Sequence, residues 1–259
     1  MTASLSSPGR ALVRAPVAPM YADPMLTSIQ ISQRLSGHVV DLLDADDDWF
    51  LARGADAYQG WIHRGFLSPV PAAGARRSSQ IARVSLGCVT AIPNGGRRAL
   101  PLGAYLSPSE VVKSGDAIDH PALPMRFPRA AIAITRSAQD FFQGTSYLWG
   151  GITPWGADCS GFVQTIFAMH GIQLPRDAWQ QSGTGDEAGG LNDLEAADLA
   201  FFSDRDDKLV THVAIALGSG RLAHLALGRG GFAVETLGDR KDRYVAKLRE
   251  RFLGARRVL

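Results

Sequence analysis

The sequence predicts an α+β protein, with short strands through its first part and a helix followed by further strands in the rest. Three observations carry this. Residues 28–32, 38–43, 49–53 and 58–62 are short β-branched or aromatic runs separated by turn residues, the pattern of a small β-barrel. Apolar residues at helical spacing occupy Ile132, Ile134, Ala138, Phe141 and Phe142, and again Phe162, Val163, Ile166 and Phe167. Residues 198–202, 209–217, 221–227 and 232–237 then read as apolar strands that can cover those helices.

The totals bound the class. A chain of 259 residues that is 46% hydrophobic and 20% charged is composed like a folded globular protein of more than one domain. A net charge of +2 gives no electrostatic reason to expect a nucleic-acid or polyanion partner. Two cysteines, Cys88 and Cys159, are too few for a disulfide scaffold. The N-terminus has no apolar stretch of signal-peptide length, because the run at Ala11 is interrupted by Arg14 and Pro16. The expectation is a cytoplasmic protein that neither spans nor binds a membrane.

The first strand-rich unit is expected over residues 1–70, a second with its linker over 71–125, and the helix-led unit over 126–259. The composition of residues 69–79 is that of a linker, and Pro93-Asn-Gly-Gly reads as a turn. Residues 113–128, with Pro121, Pro124 and Pro128, read as loop. Asp44, Asp46, Asp47 and Asp48 resemble the start of a calcium loop. Such a loop needs glycine at its sixth place and glutamate at its twelfth, where Trp49 and Ala55 stand, so a solvated hairpin turn is the better reading. Cys88 lies inside a strand pattern with no helix end nearby and reads as a core residue.

Cys159 is different. It opens the helical run, Asp158 before it is an N-cap residue, and Gly171 stands where the helix should stop. A thiol in a first helical turn feels the positive end of the helix dipole, which predicts a lowered pKa. Gly150, Gly151 and Gly156 keep the preceding backbone thin enough for a substrate to lie close. A cysteine alone would more often be a packing residue, so a nucleophile needs a base.

The hairpin around Gly218-Ser-Gly supplies one. A three-residue turn would set Leu217 opposite Arg221, His224 opposite Ala214 and His212 opposite Ala226. Both histidines then share one face, among small alanines, within reach of each other. A register slip of one residue would separate them. His212 is the candidate base, His224 the group that orients it, and the Cys159 N–H with the Tyr147 hydroxyl the candidate oxyanion donors. Cys159 with the two histidines also makes a conceivable zinc site, although the thiol has an adequate account without metal, and no cofactor is expected.

Residues from about 130 to 259 resemble the NlpC-type cysteine peptidases, papain-like enzymes of bacterial cell-wall peptides. The resemblance is carried by Tyr147-Leu-Trp-Gly-Gly, Asp158-Cys-Ser-Gly-Phe, Gly171-Ile-Gln-Leu-Pro-Arg-Asp, Asp198-Leu-Ala-Phe-Phe, Thr211-His-Val-Ala-Ile and His224. It implies a papain-like catalytic domain with Cys159 as nucleophile, His212 as base and His224 as orienting residue. The N-terminal part resembles bacterial SH3-like modules, which implies two small barrels ahead of the catalytic domain. The sequence departs from the family pattern at Ala197 and Ala214, where glycine is usual.

That arrangement is similar to the γ-D-glutamyl-L-diamino-acid endopeptidases, which act on murein peptides with a free N-terminal L-alanine. The resemblance implies that Asp158 and Ser160 meet the substrate ammonium, and that Tyr147, Trp149, Arg176 and Asp177 line the subsites around D-glutamate. The expected partner is a murein peptide met during wall recycling, with a monomer favoured. Two other readings stay open: a wall-peptide binding protein without activity, and an acyltransferase or amidase on the same core.

Overall fold

A computed structural model describes residues 5–70, 83–92, 95–107 and 109–259. The chain divides into two units, Met1–Leu123 and Pro124–Leu259. Most of the expected linker and the Pro93-Asn94 part of the expected turn fall outside the described residues.

The first unit is built from strands. β1 (Gly9–Val13), β2 (Val17–Tyr21), β3 (Gln30–Leu35), β4 (Val39–Asp46), β5 (Trp49–Arg53), β6 (Gln59–His63) and β7 (Leu67–Pro69) form one sheet in the order β3-β2-β6-β5-β4-β1-β7. Alternate residues point inward, so Ala18 and Met20, Val40 and Leu42, Phe50 and Ala52 share one core with Ile62 and Leu67. Strand β1 occupies the apolar run at Ala11 that the sequence reading left unassigned. The four aspartates sit at the β4–β5 hairpin, with Asp47 in a left-handed conformation (φ 50°), as a solvated turn requires.

A second sheet follows in the same unit, formed by β8 (Arg83–Ala91), β9 (Arg97–Leu100), β10 (Tyr105–Leu106) and β11 (Val111–Asp119). Cys88 is buried within β8, as expected. Strand β11 corrects the reading of residues 113–128 as loop. Its polar residues are held in an edge strand by antiparallel pairing to β8, interrupted by register shifts on either side of Ser114 and Gly115. Ladder hydrogen bonds decide this segment against its weak intrinsic preference.

The second unit begins with a single turn, α1 (Leu123–Arg126), and the predicted helix α2 (Ala131–Phe142). A short hairpin, β12 (Ile152–Thr153) and β13 (Gly156–Ala157), leads into α3 (Cys159–Met169). Nearly every residue of α3 is buried, because this helix is enclosed by α2 on one side and the following sheet on another. Gly171 ends it in a left-handed conformation, and the Ile172 N–H returns to the Phe167 carbonyl. The one-turn helix α4 (Ala178–Gln181) comes next.

The sheet of this unit contains β14 (Asp186–Ala188), β15 (Leu199–Phe202), β16 (His212–Gly218), β17 (Arg221–Ala226), β18 (Gly231–Thr236) and β19 (Phe252–Arg257), in the order β14-β19-β15-β16-β17-β18. Helix α5 (Arg243–Glu250), which the sequence reading did not foresee, precedes the last strand. Ala197 takes a left-handed φ of 70°, the geometry that explains the glycine usual at that place. No helix among the described residues is long and apolar enough to cross a membrane.

Candidate active site

Three backbone elements bring the site together: the start of α3, the loop before it, and the β16–β17 hairpin. The Asp158 carboxylate caps α3 by accepting from the Gly161 N–H at 2.7 Å. The same side chain accepts from the Gly150 N–H at 2.8 Å, tying the preceding loop to the helix start. The Gly150–Gly151 backbone lies so close that a Cβ on Gly161 would sit 2.1 Å from the Gly151 carbonyl oxygen, and one on Gly151 2.3 Å from the Gly156 carbonyl oxygen. The glycines are therefore required by chain against chain. The sequence reading assigned that thinness to a substrate, and the protein's own backbone uses it.

The hairpin has the register on which the histidine reading depends, with one difference at its tip. Ile215 pairs with Ala223 and Ala216 with Leu222, as expected. The closing pair is Gly218 with Arg221 and not Leu217 with Arg221, and a bulge at Leu217 restores the expected pairing along the strands. Gly218, Ser219 and Gly220 all have positive φ, a turn that two glycines make affordable. His212 and His224 consequently share a face, with His212 Nε2 2.9 Å from His224 Nδ1.

The backbone N–H groups of Val213, the residue next to His212, and of Ser160 favour a charged Cys159 sulfur, and α3 packs on β16. This places the thiol against the strand that carries His212. Because His212 Nε2 is engaged by His224, Nδ1 is the ring nitrogen left for the thiol.

Electrostatics correct one expectation. Burial first and the Asp158 charge second push the Cys159 thiol up to about 12, against the pull of the Val213 N–H, Arg176 and the Ser160 N–H. Burial also lowers His212 to about 3, with His224 beside it as the second cause. A helix dipole is worth about 0.3–1 kcal/mol, less than one pKa unit, whereas full desolvation can move a group by about 3–5 units. Burial outweighs the dipole, so the surroundings favour a thiol and a neutral imidazole.

Tyr147 is half-buried, and its hydroxyl titrates above the usual phenol range through burial first and the nearby Cys159 and Asp158 second. It remains a proton donor beside the thiol. Trp149 is exposed on the same loop.

Asp158 and Arg176, two of the residues the resemblance places at the substrate, are bonded to each other. Arg176 is buried at 2% exposure and grips Asp158 through Nη1–Oδ1 at 3.0 Å and Nη2–Oδ2 at 2.6 Å. Asp158 thus accepts from five donors, the Gly150 and Gly161 N–H groups, the Ser160 hydroxyl and both Arg176 nitrogens. A carboxylate has about four lone-pair sites, so its capacity is filled. Ser160 Oγ also accepts from Arg176 at 2.9 Å. Asp177 caps α4 in a reciprocal capping box with Gln180.

The sequence reading missed Glu235 and Arg229. Glu235 Oε1 lies 3.3 Å from His224 Nε2, and Arg229 holds that carboxylate from its other side. The available signal was a glutamate inside the apolar strand pattern at residues 232–237, but its face could not be assigned without the β17–β18 register. Among the described residues, no three His, Cys, Asp or Glu side chains are grouped as a metal site.

Fold and geometry together define a thiol–imidazole centre of Cys–His–His type, set at the junction of a buried helix and an antiparallel sheet. Residues 144–248 match the NlpC/P60 family. A Bacillus subtilis protein named gamma-D-glutamyl-L-lysine dipeptidyl-peptidase is 32% identical over 155 residues, 60% of this chain and 51% of that protein. A probable endopeptidase from Haemophilus influenzae is 34% identical over 113 residues, 43% of this chain and 69% of that protein. The crystal structure of an NlpC/P60 family protein from Bacillus cereus matches with a TM-score of 0.79 at 21% identity, covering 97% of this chain and 100% of that one, a likeness of fold. The chain belongs to the NlpC/P60 family. It spans about half the length of the Bacillus subtilis relative.

Proposed function

We propose that this protein is a cysteine endopeptidase that cleaves the γ-D-glutamyl–L-diamino acid bond of murein peptides carrying a free N-terminal L-alanine. The observation that carries the reading is Cys159 at the start of α3, a helix packed on the strand whose His212 is joined to His224 at 2.9 Å. The Bacillus subtilis relative is named for the γ-D-glutamyl-L-lysine linkage, which supports the choice of bond.

In the reaction, His212 Nδ1 takes the Cys159 proton as the sulfur attacks the γ-carbonyl carbon. Proton transfer accompanies attack, because the resting thiol is neutral. The oxyanion faces the Cys159 backbone N–H at the helix start and the Tyr147 hydroxyl. His212 then protonates the departing amine of the diamino acid, leaving a thioester on Cys159. Water, deprotonated by His212, releases the γ-D-glutamyl carboxylate and restores the thiol.

The strands of the first unit belong, on this reading, to two SH3-like barrels, and the chain works as a cytoplasmic monomer on fragments returned from the wall. The test is turnover of L-Ala-γ-D-Glu-diaminopimelate and its lysine counterpart, each free and N-acetylated. Cleavage of the free peptides, its loss in Cys159→Ala with the fold retained, and a sharp drop on acetylation are expected. Equal cleavage of free and capped peptides would remove the free-amine requirement, and no cleavage of any of them would refute the peptidase.

A further inference from the structure

The hydrogen-bonded run that starts at His212 does not stop at His224. On β18, Ala233 pairs with His224 and Glu235 with Leu222, so Glu235 is a diagonal neighbour of His224 on the same face. Glu235 is 4% exposed and His224 is fully buried. Arg229 Nε donates to Glu235 Oε1 at 2.7 Å and Nη2 to Oε2 at 2.9 Å. Arg229 also pairs with Asp242, the N-cap of α5, and its guanidinium carbon lies 4.4 Å above the Tyr244 ring.

A carboxylate clamped by a guanidinium stays ionised and can only accept hydrogen bonds. The His224 Nε2 facing it must then carry the proton. A neutral imidazole protonated at Nε2 has a bare Nδ1, and that atom faces His212 Nε2, which must donate to it. The lone pair of His212 is thereby left on Nδ1, the nitrogen available to the thiol.

We propose that Glu235, braced by Arg229, is a positioning residue that selects the tautomer of both histidines and so presents His212 Nδ1 to Cys159 as the base. Glu235 reaches neither thiol nor substrate and acts through His224. The role rests on the cysteine-peptidase reading above. The titratable and charged groups around His224 are Glu235 from β18, His212 from β16 and Tyr244 from α5, with Arg229 and Asp242 behind Glu235.

The first measurement is 15N NMR of the imidazole nitrogens in the full chain at neutral pH. Both rings are expected to be protonated at Nε2 and bare at Nδ1; a proton on His224 Nδ1 overturns the proposal. The second compares Glu235→Ala with the unaltered chain. A fall in kcat of about 10- to 100-fold is expected, with KM within about two-fold. The acidic limb of the kcat/KM profile should move to lower pH, because the negative charge that favours the imidazolium is gone. A purely structural defect would scale the rate at every pH without moving that limb, and an unmoved limb counts against the proposal. If the unaltered chain cleaves no murein peptide, the peptidase reading fails by itself, and the nitrogen shifts still decide the tautomers.

Discussion

His212 and His224 meet across adjacent strands at 2.9 Å, Nε2 to Nδ1. His212 is partly exposed, whereas His224 is fully buried and faces Glu235.

The two rings should therefore fail differently when removed. His212→Ala is expected to lower kcat by about 10³-fold or more, because the proton acceptor is lost, and His224→Ala by about 10²-fold, because the acceptor loses its orientation. Steady-state kinetics on the γ-glutamyl tripeptide reads both. Equal losses would mean that the rings share the proton and not the division of labour described here.

Removing Arg176 should cost stability before it costs recognition. Arg176→Met leaves Asp158 buried with its charge uncompensated, which typically costs about 3–5 kcal/mol. The double variant Arg176→Met with Asp158→Asn should recover part of that loss, since no buried charge is left unpaired. Urea denaturation of the unaltered chain, the two single variants and the double variant measures the coupling. A stable Arg176→Met with a raised KM would instead restore the substrate-binding role first expected of this residue.

Gly161→Ala is expected to be among the most damaging single methyl additions in the chain. The new Cβ would lie 2.1 Å from the Gly151 carbonyl oxygen, so either the Gly150–Gly151 loop or the first turn of α3 must move. Overpacking of this kind costs about 1–3 kcal/mol or more. Thermal unfolding should show the loss, with activity falling further because Cys159 shifts against His212.

The raised thiol sets a pH dependence. With Cys159 pushed up to about 12 and His212 held near 3, thiolate is scarce at neutral pH. Alkylation of Cys159 by iodoacetamide should be slow at pH 7 and climb steadily through pH 9–10 at about ten-fold per unit, with no plateau below that. A plateau near pH 6–7 would reveal a preformed thiolate–imidazolium pair and restore the lowered thiol.

Much of the site was readable because it is local. The Cys159 helix, its Asp158 cap and its Gly171 stop follow from periodicity and end chemistry within a dozen neighbouring residues. The histidine pair was readable because strand alternation across a tight turn leaves few registers to choose from, and the bulge at Leu217 delivered the right one by a different closing pair. What the sequence did not show concerns groups whose partners are distant. The grip of Arg176 on Asp158, 18 residues away, appears only in the structure. Strand β11 reads as loop until β8 pairs with it.

The sequence by itself determined where a nucleophile could be presented and which two rings could serve it, because helix ends and strand faces are set by near neighbours. The tertiary structure alone decided the burial that raises the thiol, the pairing of Asp158 with Arg176 and the contact of His224 with Glu235. Each of those depends on what is packed around a buried group, since desolvation and hydrogen-bond capacity are properties of the enclosing space and not of the local chain.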